Sequence, residues 1–135
     1  MSVKVFVDTN ILIYAFSKTE EEKQQKALEI LDNSWPTIST QVIREFISVG
    51  TTKHKQPLEK VISQVRNIVD AVDVVNEDMG IIDKGIEIHQ RYKFRFYDSL
   101  IIAAAITANC TILYSEDMHH GQVIEKTLTI VNPFV

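Results

Sequence analysis

Short β-branched runs alternate with longer amphipathic stretches along the whole chain, and that alternation leaves few folds open. Val3–Val7 is such a run, ends at Asp8, and reads as a first strand placed centrally in a sheet. Pro36–Ser39, Val72–Val75, Thr111–Tyr114 and Thr127–Val131 follow, the last stopped by Pro133. Helical patterns fill the intervals. Ile11–Phe16 opens after Asn10. Glu20–Leu31 starts with Thr19 as a cap and acids at the positive end of the helix dipole. A third helix, capped by Ser39 or Thr40, places Val42, Ile43, Phe46 and Ile47 at helical spacing and ends near Gly50. A fourth follows Pro57, with Leu58, Val61, Ile62, Val65, Ile68 and Val69 on one face. The fifth covers Asp78–Tyr92. The sixth, Asp98–Asn109, is nearly all apolar and is expected to be buried on most sides. The pattern predicts an α/β fold: a three-layer α/β/α arrangement around a central, mostly parallel five-stranded sheet. At 135 residues, a single domain over 1–135 is expected.

Composition narrows the function classes. Hydrophobic residues make up 45% and charged residues 24%, which argues against disorder and coiled coil. Only 4 Gly and 3 Pro leave little room for a loop-rich all-β fold. The lone Cys110 lies in an apolar stretch and has no internal partner, as expected of a buried thiol in a reducing, cytoplasmic setting. The longest apolar run, Leu100–Ile106, is about a third of the roughly 20 residues a membrane span needs. The first residues alternate and meet Lys4 and Asp8 early, unlike a signal peptide. A net charge of −4 speaks against a broad basic surface that grips nucleic acid by charge alone.

That number does not say where the acids are. Ligands of an open α/β sheet bind at the carboxyl ends of its strands. Asp8 directly follows the first strand, Asp117 stands just past the fourth, Asp98 lies in the first turn of the apolar helix, and Glu45 borders the apolar face of the third helix. They are separated by 37, 53 and 19 residues, so only folding can join them. Each alone has a plain reading: a dipole-favoured acid, a loop acid, a solvated flank, a turn residue. Together they suggest a site. Two carboxylates about 5 Å apart repel by roughly 3 kcal/mol at an effective dielectric near 20. A convergent set would take up protons or hold a cation. Oxygen donors suit Mg²⁺ or Mn²⁺. They do not suit zinc, and His54, His89, His119 and His120 show no zinc spacing. A metal site of this kind suits phosphoryl transfer.

At this point the residues resemble a known family, the PIN-domain ribonucleases, and within it the VapC-type toxins of bacterial toxin–antitoxin pairs. The resemblance spans the chain. It is carried by Val7-Asp8-Thr9-Asn10-Ile11-Leu12, by Glu45, by Tyr97-Asp98-Ser99-Leu100-Ile101-Ile102-Ala103-Ala104-Ala105, and by Leu113-Tyr114-Ser115-Glu116-Asp117-Met118 with His120-Gly121 and Val131-Asn132-Pro133-Phe134. It implies a five-stranded parallel sheet, a metal site of three or four acids holding Mg²⁺ or Mn²⁺, endonucleolytic cleavage of RNA, a homodimer and a partner antitoxin. By position, Asp8, Glu45 and Asp98 match the three core acids and Asp117 the fourth, with Glu116 as its neighbouring competitor. Asn10 and Ser115 match supporting polar residues. Ser99 stands where many relatives carry Ala.

Arg91-Tyr92-Lys93-Phe94-Arg95-Phe96-Tyr97 alternates bases and aromatics just before Asp98. One reading is an RNA-facing segment, with arginines on phosphates and an aromatic stacked on a base; the favoured one puts the aromatics in the core and keeps Arg95 as the candidate for contact with RNA. Lys53-His54-Lys55 reads as a solvated helix end, and His119-His120 as loop residues near Asp117. The face from Leu58 to Val69 suits either the core or a dimer surface. Two rival readings of the chain remain. One is a catalytically silent PIN-like module that binds RNA or a protein. The other is a phosphotransfer or receiver domain, which would want an acid where Asn10 stands and a late lysine after the fourth strand.

Overall fold

The computed structural model describes residues 3–135. Its sheet is built from β1 (Lys4–Val7), β2 (Trp35–Ser39), β3 (Asp73–Val75), β4 (Ile112–Tyr114), β5 (Val123–Ile124) and β6 (Leu128–Val131) in the spatial order β3-β2-β1-β4-β6-β5. All neighbours run parallel except β5, which pairs antiparallel with β6. β1 is therefore interior. Val5, Phe6 and Val7 are all buried although successive side chains point to opposite faces, so helices cover both sides of the sheet.

The sheet has six strands, not the expected five. The extra strand, β5, has two residues and lies in a polar turn-rich segment, too short for any periodicity to mark. Its hairpin to β6 turns through Glu125 and Lys126, both with positive φ (50° and 66°), and Glu125 is tied to Lys84 by an ion pair of 2.6 Å.

The helices are α1 (Thr9–Ala15), α2 (Glu21–Asn33), α3 (Thr40–Ser48), α4 (Leu58–Ala71), α5 (Met79–Tyr92) and α6 (Phe96–Thr107). Asp8 caps α1, Ser39 caps α3 by accepting from the Val42 N–H, and Asp78 caps α5 through the Ile81 N–H. One expectation needs correction. Thr19 does not cap α2. Glu20 holds that position without a side-chain bond, while Ser17 Oγ accepts from the Thr19 and Glu20 N–H groups. The α-helical part of α3 ends at Ser48, close to Gly50 as expected. The helix continues as a π-helical turn over Val49–Lys53, and Gly50 lets α4 approach: a Cβ there would stand 3.1 Å from Val61 Cγ2. As expected, α6 is buried almost all round, from Ser99 to Ala105, and Cys110 is buried. Among the described residues no helix is long and apolar enough to cross a membrane.

Candidate functional site

The parallel register sets the floor of the site. Val7 lies beside Tyr114, so the residues that follow them, Asp8 and Ser115, emerge side by side at the carboxyl edge. The Asp8 N–H donates to the Tyr114 carbonyl at 3.0 Å, and the buried Ser115 Oγ donates to Asp8 Oδ2 at 2.9 Å. The other oxygen, Oδ1, accepts from the Thr9 N–H at 2.7 Å. Both oxygens of Asp8 are thus fixed by the start of α1 and the end of β4.

Glu45 reaches the same edge from the second turn of α3. Its carboxylate accepts from Thr9 Oγ1 at 3.1 Å and from Gln41 Nε2 at 2.8 Å. The same Gln41 Nε2 also donates to the Tyr97 carbonyl at 3.2 Å, tying α3 to the start of α6 next to Asp98. Gln41 is 3% exposed, and its Oε1 is buried without a partner. Asp117 lies on the loop after β4, where Asn10 Nδ2 donates to its Oδ2 at 2.7 Å. Glu116 turns the other way. It accepts from Lys23 Nζ and from the Tyr14 hydroxyl, each at 2.7 Å.

One cavity of about 330 Å³ gathers Asp8, Asn10, Glu45, Arg95, Asp98 and Asp117, with Thr9, Val49, Tyr97 and Ile101 completing its wall. Ser115 is buried, does not line it, and is linked to it through Asp8. A larger cleft of about 440 Å³ between the α1–α2 connection and α3–α4 has Ile13, Phe16 and Phe46 in its wall and a single carboxylate, Glu20. The carboxylate chemistry belongs to the smaller cavity.

Electrostatics bind the four acids into one field. Burial pushes the Asp8 carboxyl up to about 6; bonds from Thr9 and Ser115 pull it back, and the charges of Glu45 and Asp98 add to the rise. Asp98 is also raised, first by burial, against the attraction of Arg95, with Asp117 and Glu45 adding repulsion. Arg95, whose Nε is 3.7 Å from Asp98 Oδ2, is the only cation lining the cavity among the described residues. Glu116 is held below the ordinary carboxylate range: burial opposes this, but Lys23 and Tyr14 outweigh it.

The donor set fits a hard divalent ion. Every carboxylate in the cavity offers oxygen, and among the described residues no His or Cys lines it and one exposed arginine offsets the shared negative field. Among the described residues, however, no three His, Cys, Asp or Glu side chains close on one point to make a preformed cage. Bonds to Thr9, Gln41 and Asn10 hold Glu45 and Asp117 in place on separate elements.

Three residues here were not singled out as site residues from sequence. Thr9 and Gln41 orient Glu45; the Gln41–Glu45 spacing of one helical turn was the available signal. Tyr97 is the third. The aromatics of 92–97 divide: Tyr92 and Phe94 pack against the core as expected, but Phe96 is 37% and Tyr97 69% exposed.

Fold and site together define an α/β domain with an acidic cavity at the carboxyl edge of its parallel strands. The chain belongs to the PIN-domain family, whose model matches residues 5–125. Its fold is that of a toxin–antitoxin complex chain from Klebsiella pneumoniae, with 24% identity, 96% of this chain and 97% of that one covered, and a TM-score of 0.71. FitAcB from Neisseria gonorrhoeae is similar with 15% identity, 96% and 98% covered, and a TM-score of 0.74. Mycobacterium tuberculosis VapC20, described as a Sarcin-Ricin loop cleaving toxin, is similar with 14% identity, 84% and 89% covered, and a TM-score of 0.69. No curated protein matches the chain by sequence.

Proposed function

We propose that this protein is a divalent-metal-dependent endoribonuclease, the toxin of a toxin–antitoxin pair, and that it hydrolyses RNA phosphodiester bonds at the acidic cavity. The observation that carries this reading is the meeting of Asp8, Glu45, Asp98 and Asp117, from four separate segments, in one cavity with a single arginine. These four would hold Mg²⁺, with Mn²⁺ as a second fit. The ion, when bound, would supply the positive charge a phosphodiester needs there and lower the pKa of water. Ser115 and the Thr9 N–H orient Asp8, Thr9 and Gln41 orient Glu45, and Asn10 orients Asp117. The toxin role rests on the PIN family and on structural neighbours that are toxin–antitoxin complexes. A homodimer, a cognate antitoxin and a cytoplasmic location belong to the same proposal.

The test is incubation of the pure protein with total RNA in Mg²⁺, in Mn²⁺ or in chelator, beside Asp98→Asn. Cleavage confined to the metal-containing wild type is expected; cleavage that persists in chelator would overturn the proposal. The open spacing of the carboxylates favours one second reading, a catalytically silent module. RNA binding without cleavage in either metal would select it.

A further inference from the structure

The segment entering α6 is tightly held, yet it leaves two aromatic rings in water. Lys93, at φ 65°, ends α5 in the left-handed region, and its N–H donates to the His89 carbonyl. His89 Nδ1 donates to the Phe94 carbonyl at 2.6 Å. Ser99 Oγ donates to the Arg95 carbonyl at 3.0 Å, and the buried Gln41 holds the Tyr97 carbonyl. Four bonds from three elements thus pin the backbone from Lys93 to Tyr97. Phe96 and Tyr97 project from that frame in an edge-to-face pair, 5.9 Å between centroids, and Phe96 leans on His89 in the same way at 5.8 Å. Tyr97 is both the most exposed large aromatic of the described chain, at 69%, and a wall of the acidic cavity. Arg95 stands on the same rim with its side chain 88% exposed.

A rigid, solvent-facing ring next to a cation has a particular use in nucleic-acid binding. An unpaired base stacks on the ring while the guanidinium meets backbone phosphate. From this geometry we infer that Tyr97 is a substrate-binding residue: it stacks on one unpaired base and thereby sets which phosphate of a bound strand lies at the acidic cavity. A duplex keeps its bases stacked on one another and offers the ring nothing. The inference rests on the proposed nuclease reading, and Phe96 buttresses the ring rather than meeting the base.

The probe is a short single-stranded oligoribonucleotide with 2-aminopurine placed at successive positions, mixed with protein in Mg²⁺ by stopped flow so that binding is read ahead of cleavage. One position is expected to be quenched strongly by wild type and by Tyr97→Phe. Tyr97→Ala should lose that quench and bind about 5- to 100-fold more weakly. Its melting temperature should be unchanged, because the ring is mostly in water. Binding to the matched duplex should not differ between wild type and Tyr97→Ala. Equal affinity and quench in wild type and Tyr97→Ala would overturn the stacking role while leaving the nuclease reading intact. So would an equal loss on duplex and single strand, or Tyr97→Ala binding RNA normally while failing to bind a protein partner. Wild type that binds no RNA at all would overturn both.

Discussion

Ser115 Oγ donates to Asp8 Oδ2 at 2.9 Å, joining two residues 107 apart in the chain through the parallel pairing of β1 with β4. This bond favours the charged form of a carboxyl that burial pushes towards neutrality. Ser115→Ala should raise the Asp8 pKa further and weaken Mg²⁺ binding by about tenfold to a hundredfold, as loss of a supporting bond to a metal ligand does. The fold should lose only about 1 kcal/mol. A Mg²⁺ titration of cleavage at two pH values, beside a melting curve, separates the two effects. An unchanged Mg²⁺ requirement would contradict the role assigned to Ser115.

The pH dependence of stability follows from Asp8. Its carboxyl titrates at about 6 in the folded chain against an ordinary 3.8. Between those values the folded state keeps a proton that the unfolded state has released, so stability falls as pH rises through the window and the loss is complete above it. The whole span corresponds to roughly 3 kcal/mol. Asp98, also raised, acts with the same sign. Urea unfolding in chelator should therefore show more stability near about pH 5 than near about pH 7.5, and Asp8→Asn should flatten most of that slope. Added Mg²⁺ should restore stability chiefly at the higher pH, because it binds the deprotonated acids of the folded state.

Gly85 in α5 is where α6 comes closest. A Cβ there would stand 2.6 Å from Leu100 Cδ2 and 3.4 Å from Leu100 Cα. Leu100 is buried and has little room to yield. Gly85→Ala is expected to cost about 1–3 kcal/mol of stability, as overpacking does. It should also displace the first turn of α6, which carries Asp98. A melting temperature equal to wild type would contradict this packing.

Arg95 faces both ways, pairing with Asp98 at 3.7 Å while most of its side chain lies in solvent. If it exchanges Asp98 for a phosphate when RNA arrives, Arg95→Ala should weaken RNA binding similarly for all sequences. The slope of log affinity against log salt should shrink by about 1. Affinity measured across a salt series in Mg²⁺ reads this directly. A changed sequence preference with an unchanged slope would argue instead for base contact.

Much of this protein was legible in its pattern. Val5, Phe6 and Val7 announce an interior strand because all three are apolar, and both faces of β1 are in fact covered. A cap at Ser39 or Thr40 and the buried helix around Ile101–Ala105 follow from residue type and periodicity alone; the structure selects Ser39. β5 was not legible, since two residues in a polar hairpin carry no period. The exposure of Tyr97 was not either. Alternation of bases and aromatics suits an edge in the core equally well, and the turn at Lys93 decides which rings face water.

The choice between Glu116 and Asp117 shows where local information stops. Residue type and spacing place two acids after β4, Asp8 after β1, and Glu45 and Asp98 on helices. Those are consequences of apolar spacing within a few residues of each. Long-range packing selects which acids share a cavity. Lys23 on α2 and Tyr14 on α1 take up Glu116, while Asn10 turns to Asp117. The reason is physical. Periodicity encodes which face of an element is buried, but a side chain's distant partner depends on strand register and helix packing, and those are settled when the whole chain closes around its core.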